Sequence, residues 1–361
     1  MKRQGVLVLL VAMILGGFLF GCMGPMTPPP DTTPVVVVPT DYSLYGTANF
    51  SPPNPEENPY PLFVGARWIY RNAAAYWNPQ ISASGLLESE VVAVVQGDDE
   101  HCYVLETRYS NGPGELLYLH RASNTVALRG SRVVASPGSQ TAFALNPGLA
   151  LLHLPLAEDK VWELPFSEGT VTAHVYHQEV VAIESGEVRT LLETHTPIFR
   201  AWRVHYELFG TGPRFFGGPQ QYLWFAPGVG VVKHVLNSVD YELAEFRLPE
   251  EVVLLEEKDA GRTVRVPSGR LVIVQLRGGD PNKTEGWAWR SLEADGDEGA
   301  VEEVSDGFYL DAPRVAKRTG AGSYVYRFRA QEPGETTLRF EFFSLKTGVP
   351  EPVVEYTIRV E

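Results

Sequence analysis

Few side chains in this sequence stand where they could do chemistry together. His101-Cys102 sets a base beside a thiol, the two groups that a nucleophilic site needs. Neighbours in a strand point to opposite faces, so this imidazole cannot serve this sulfur, and Cys102 reads as a buried core cysteine. His174 and His177 are three apart on strand-like sequence and also face opposite ways. The other histidines, His101, His120, His153, His195, His205 and His234, show no zinc-ligand spacing. The run Glu293-Ala294-Asp295-Gly296-Asp297-Glu298-Gly299 has the acidity of a calcium loop without its ligand order, and reads as a solvated acidic turn. Gly210 to Gly218 is glycine-rich, but no Gly-Lys-Ser/Thr follows to cradle a phosphate. No catalytic residue, metal or cofactor is expected, and the protein does not read as an enzyme. What remains is a surface for recognition. Asn282-Lys283-Thr284-Glu285-Gly286-Trp287-Ala288-Trp289 is a turn with two tryptophans at its exit, entered through the strand breakers Gly278, Gly279 and Pro281. Tryptophan is costly in water and favourable against a partner, so this turn either packs back on its own domain or docks into something else. Alternation places Trp287 and Trp289 on one face of a strand, which leaves the core reading open.

The elements that carry this turn fit a chain of 361 residues, 44% hydrophobic and 20% charged, long enough for two domains with cores. A formal net charge of −14 excludes nucleic acid, which needs a basic face, and electrostatic adhesion to anionic lipid. Lys2 and Arg3 precede an apolar run from Val6 to Phe20, too short for a comfortable membrane span. Leu19-Phe20-Gly21-Cys22 follows and resembles the bacterial lipoprotein cleavage box. That resemblance implies cleavage after residue 21, lipidation of Cys22, and a protein anchored to a membrane on the non-cytoplasmic face of the bacterial envelope. Cys102 is then the one cysteine left, so no internal disulfide is expected. Residues 22–59 are a proline-rich spacer that favours extended polyproline conformations.

Residues 60–249 read as an antiparallel β domain, a sheet or half-barrel. Its strands are expected at Val64–Arg71, Glu88–Val95, Cys102–Tyr109, Glu115–Arg121, Val171–Ile183, Ala201–Phe209, Gln221–Phe225 and Gly230–Val235. Leu145–Leu156 reads as a short helix or a covering loop. Pro61 to Tyr70 and Trp224 to Lys233 resemble a domain of bacterial envelope lipoproteins of uncharacterised function, similar to the half-barrel sheets of periplasmic lipoprotein carriers. Glu250 to Asp259 reads as an acidic connector. Residues 250–361 then show seven short strands, at Arg262–Pro267, Leu271–Leu276, Trp287–Leu292, Gly307–Asp311, Tyr324–Ala330, Thr336–Phe343 and Val353–Val360. That spacing predicts an immunoglobulin-like β-sandwich, so the whole chain is expected to be all-β. Tyr324, Tyr326 and Phe328 alternate with Val325, Arg327 and Arg329, as in a half-buried strand.

The second domain resembles the chagasin family, inhibitors of papain-like cysteine peptidases. The family's first loop reads Asn-Pro-Thr-Thr-Gly-aromatic-x-Trp. Here Asn282, Thr284, Gly286, Trp287 and Trp289 match, while Lys283 and Glu285 depart. The second loop, Gly-x-Gly-Gly, corresponds to Gly320-Ala321-Gly322-Ser323, and Pro333-Gly334 matches the turn between the two strands that follow. The third loop carries Arg-Pro-aromatic in the family, where this chain has Ser344-Leu345-Lys346 and no aromatic. The resemblance implies a wedge of three loops entering the peptidase cleft without covalent chemistry, with Thr284 nearest the catalytic thiol and Trp287 packed in the cleft. The chain thus reads as a lipid-anchored inhibitor of papain-family peptidases. The alternative is a non-inhibitory binding or structural lipoprotein whose first domain takes an apolar ligand or a protein partner.

Overall fold

A computed structural model describes residues 60–361 except 75–85, 98–99, 110–113, 137–138, 167–168, 184–187, 192–193, 196–197, 211–219, 237–238, 248 and 284. Cys22, the leader, the spacer and Thr284 therefore lie outside the described residues. Among those described, no helix is long and apolar enough to cross a membrane.

Strands dominate. The first fourteen are β1 (Arg67–Asn72), β2 (Leu86–Gln96), β3 (His101–Tyr109), β4 (Gly114–Ala122), β5 (Thr125–Ser136), β6 (Ser139–His153), β7 (Val161–Phe166), β8 (Gly169–Ala182), β9 (Val188–Arg189), β10 (Thr194–His195), β11 (Ile198–Gly210), β12 (Gln220–Ala226), β13 (Gly230–Leu236) and β14 (Val239–Phe246). They form one sheet in the order β6-β5-β4-β3-β2-β1-β14-β13-β12-β11-β8-β7, antiparallel throughout, with β9 laid parallel along β14 and β10 beside it. Register shifts where β1 pairs with β14, β2 with β3, β5 with β6, β8 with β11 and β12 with β13 bend the strands. The two edges come back together. Trp162 Nε1 on β7 donates to Ala150 O on β6 at 3.0 Å, and the Tyr206 hydroxyl donates to Leu151 O at 3.0 Å. The sheet is thus nearly closed, and Tyr60, Trp68, Tyr70, Tyr206 and Phe225 are buried in its core. The segment expected as a helix or loop at Leu145–Leu156 is largely strand, in β6. Pro147 and Gly148 obscure it in sequence. At the edge of a sheet, where register shifts already interrupt the ladder, both are tolerated.

The remaining elements are β15 (Val252–Glu256), β16 (Thr263–Val266), β17 (Leu271–Gly279), β18 (Trp287–Ser291), β19 (Asp295–Gly296), β20 (Val301–Leu310), the helix α1 (Pro313–Thr319), β21 (Ala321–Ala330), β22 (Gly334–Ser344) and β23 (Pro350–Val360). They make two further sheets, β15-β17-β21-β20 and β16-β23-β22-β18, with β19 paired to β22. Val272, Val274, Leu276, Tyr326 and Phe328 from one sheet meet Leu338, Phe340, Tyr356 and Ile358 from the other. The acidic connector is not a linker, since Val252–Glu256 pairs parallel with β17. The acids around it hide a five-residue strand, and they are used: Asp259 accepts from Glu256 N at 3.1 Å and Arg262 Nη1 at 2.8 Å.

The large sheet and the sandwich meet at a strand edge. Past its pairing of Arg67 with Glu90, β1 leaves the rest of β2 open on that side, and only Val91 is reached by the chain before it, through Gly65 and Ala66. Open N–H and C=O groups along an edge must find partners when buried. The sandwich supplies them at every second residue. Arg327 Nη2 donates to Val92 O at 3.3 Å. Gln275 takes both polar groups of Val94, accepting from its N at 3.0 Å and donating to its O at 3.1 Å, and the Ser323 hydroxyl adds a bond at 3.0 Å. Asp311 Oδ1 accepts from Gln96 N at 3.0 Å, while Ala312 N donates to Gln96 O at 3.0 Å. Around these bonds Val252, Leu254, Leu271, Ile273 and Val325 join the core of the large sheet. β21 is therefore buried on both faces, and Arg327 does not point to solvent as alternation suggests. Its guanidinium lies 3.3 Å from Glu90, which also faces Arg247 at 3.4 Å.

Glu90→Ala takes the carboxylate from two buried guanidinium groups and is expected to cost about 3–5 kcal/mol in urea unfolding; a loss below about 1 kcal/mol would mean that solvent screens the pair. His234 is fully buried, and burial pulls its imidazole down from 6.5 to about 3. As pH falls below 6.5, the unfolded chain binds a proton that the folded chain refuses, so stability drops until the pH nears 3. Wild type should lose up to about 1.4 kcal/mol per pH unit more than His234→Gln in that window. Parallel losses in the two proteins, measured by urea unfolding from pH 7 to 4, would show that His234 does not titrate as its burial requires.

Candidate functional site

One end of the sandwich gathers three turns, and their backbones are bonded to one another. The central turn runs from Asp280 to Gly286, between β17 and β18. Asp280 Oδ1 accepts from Asn282 N at 2.9 Å and Asn282 Nδ2 at 3.1 Å, an Asx-type turn that a short polar side chain makes readily. Lys283 N donates to Asp280 O at 3.0 Å. Gly286 has φ +124°, which a side chain would strain. On one side Asp280 N donates to the carbonyl of Gly320 at 2.8 Å. Gly320 closes α1 in the left-handed conformation, φ +61°, with its N–H on Ala316 O. On the other side Leu345 N donates to Gly286 O at 2.9 Å, and the Lys346 ammonium lies 2.9 Å from Glu285. The third turn is itself closed by Ser344 N on Val349 O at 3.0 Å and Gly348 N on Ser344 O at 2.8 Å.

The two tryptophans share a face, as strand alternation requires, but not an environment. Trp289 is 8% exposed, its ring against Phe342 at 4.7 Å and its Nε1 bonded to Arg277 O at 2.7 Å. Trp287 is 37% exposed at the rim, stacked on the same Phe342 at 5.2 Å. Trp289 thus packs the sandwich, while Trp287 presents a ring to solvent. Ala321 and Gly322 lie within β21 rather than in a free loop, and Gly322 pairs with Gly278 and Leu310. A Cβ on Gly322 would meet Tyr309 O at 2.3 Å, so the glycine there serves the contact between β20 and β21. Phe342, which supports both indoles, stands in no motif. Its one sequence signal is alternation with the buried Phe340.

The other candidates stay apart. Cys102 is fully buried in β3, with His101 exposed beside it. His174 lies 3.5 Å from Asp159, and His177 lies 3.6 Å from Glu179. Among the described residues, no three His, Cys, Asp or Glu side chains are placed to hold a metal ion.

The division between the tryptophans sets a test. Trp289→Ala is expected to cost about 3–5 kcal/mol in urea unfolding, as a large buried ring should. Trp287→Ala should change stability by less than about 1 kcal/mol. Equal losses would make Trp287 a core residue rather than a ring at the rim.

No protein-family model matches the chain, and no curated protein is similar to it in sequence. Solved structures offer distant likenesses. A cysteine protease inhibitor from Entamoeba histolytica is 17% identical, with a TM-score of 0.24, over 30% of this chain and 95% of that one. PbICP-C, solved in complex with falcipain-2, is 11% identical, with a TM-score of 0.19, over 30% of this chain and 87% of its own. A candidate lipoprotein from Parabacteroides distasonis is 13% identical, with a TM-score of 0.21, over 53% of this chain and 98% of its own. Likeness at this distance assigns the chain neither a family nor an activity.

Proposed function

We propose that this chain is a lipid-anchored envelope protein whose sandwich, residues 250–361, blocks papain-like cysteine peptidases by seating its three-turn end in the active-site cleft. The observation that supports this most is the side-by-side placement of the turns. The segment that resembles the chagasin first loop stands in the middle, bonded to the second turn at 2.8 Å and to the third at 2.9 Å. A wedge held by its own backbone bonds loses little freedom on docking, which favours affinity without any covalent step. Gly286 shapes the approach of the central turn, Trp287 offers the exposed anchor, and by resemblance Thr284 comes nearest the peptidase thiol, with Asn282 in the same loop. Ser344, Leu345 and Lys346 make the third contact with an ion pair to Glu285 where the family has an aromatic ring. In this reading residues 22–59 join lipidated Cys22 to residue 60 and hold the folded part off the membrane. The aromatic side chains buried inside the large sheet favour a filled core over an apolar-ligand groove.

The test is inhibition of a papain-like peptidase by the full-length chain purified in detergent. Tight inhibition is expected, weakened about thirtyfold or more by Trp287→Ala at unchanged stability, the loss of one interface anchor. No inhibition at micromolar concentration across several such peptidases would overturn the reading.

A further inference from the structure

The roots of the central and second turns meet on one carboxylate. Arg277 stands at the end of β17, just before Gly278 and the central turn. Its Nη1 and Nη2 reach the two oxygens of Asp311 at 2.6 and 3.0 Å, a bidentate pair. Asp311 follows β20 and leads into α1, which ends at Gly320. Its N–H donates to the carbonyl of Ala321 at 2.9 Å, closing the base of the second turn. The same carboxylate accepts from Gln96 N on β2, and its backbone oxygen accepts from Arg132 Nη2 on β5 at 3.3 Å. Arg132 is fixed in turn by the Tyr118 hydroxyl at 2.8 Å, and that hydroxyl bonds Leu310 O at 3.2 Å. Asp311 is 1% exposed, so the carboxylate end of these bonds is out of water, while the Arg277 side chain is 44% exposed. Arg277 also carries the core through its carbonyl, which holds the Trp289 indole.

We propose that Asp311 is a positioning residue for the docking end, and that the large sheet is part of the inhibitor's working frame. This rests on the inhibitory function proposed for the sandwich. The large sheet holds Asp311 through Gln96 and Arg132, Asp311 holds Arg277, and the two turns leave from these two residues. A carboxylate with both oxygens engaged fixes direction as well as distance, so the turns reach a partner already arranged. Without it their ordering cost would fall on the binding step.

The experiment compares the full-length chain in detergent with Asp311→Asn, Arg277→Ala and the conservative Arg277→Lys. Hydrogen exchange is followed in 278–287, 320–323 and, as a reference, 353–360, without peptidase, and inhibition is measured in parallel. Asp311→Asn and Arg277→Ala are expected to raise exchange in the two turns at least about tenfold while 353–360 stays unchanged, and to weaken inhibition about tenfold, with partial rescue in Arg277→Lys. The Arg277 side chain is half-exposed, so its variants keep the proposal testable if Asp311→Asn fails to fold. Unchanged turn exchange, or an equal rise in all three segments, would overturn it. If the wild type does not inhibit, the inhibitory reading fails on its own, and the exchange data still decide whether Asp311 holds the turns.

Discussion

The open edge of β2 is the constraint on which the structure turns. A strand that leaves its neighbour at Glu90 carries a row of backbone groups into the interior, and each would be costly without a partner. The sandwich answers with side chains rather than with another strand. Gln275, Ser323, Arg327 and Asp311 reach residues 92, 94 and 96 in step with the two-residue repeat of the edge. Side chains that satisfy an edge cannot slide along it, because a shift of one residue would aim them at groups already bonded to β3. The register between the large sheet and the sandwich is set in this way, and the apolar contacts of Ile273, Leu254 and Val325 then exclude water around it.

This junction reaches the far end of the sandwich through short paths. Gln275 and Arg277 lie on one face of β17, two residues apart, so the strand that seals Val94 also delivers the central turn. Asp311 closes the last edge position and opens the helix that ends in the second turn. The third turn is tied to the central one by Leu345 and by the ion pair of Lys346 with Glu285. That pair is exposed and screened by salt, so it contributes less than the bonds at the base. Phe342 lies beneath the rim of this end. It stacks beneath Trp287 from β22 and holds the exposed indole at the rim.

The differences between expectation and structure have a common physical cause. Sequence periodicity reports which residues leave water, not which element they meet. Val325 and Arg327 read as the solvent side of a half-buried strand, yet they face another sheet. Val252 to Leu255, flanked by acids, read as a connector, yet they pair along β17. Leu145 to Leu156 read as a short helix or a covering loop, yet most of it is strand in β6, at one end of the sheet order. The Gly320–Ser323 segment read as the second loop, whereas from Ala321 onward it is ladder.

The sequence by itself determined the local grammar: the all-β class, eight strands of the large sheet, the strands of the sandwich core, and the turn entered through Gly278, Gly279 and Pro281. These come from side-chain alternation, β propensity and turn residues, which act within a few positions of the chain. The turn with two tryptophans at its exit was legible for the same reason, because its residues are contiguous. Only the tertiary structure decided that Trp289 belongs to the core and Trp287 to the surface, since both obey the same alternation and differ only in how near the rim they meet Phe342. It also decided that Glu90, Arg247 and Arg327, or Gln96, Asp311 and Arg277, act as units. Those groups are separated by tens to hundreds of residues, and what joins them is the demand of buried charges and open backbone groups for partners, which no local pattern encodes.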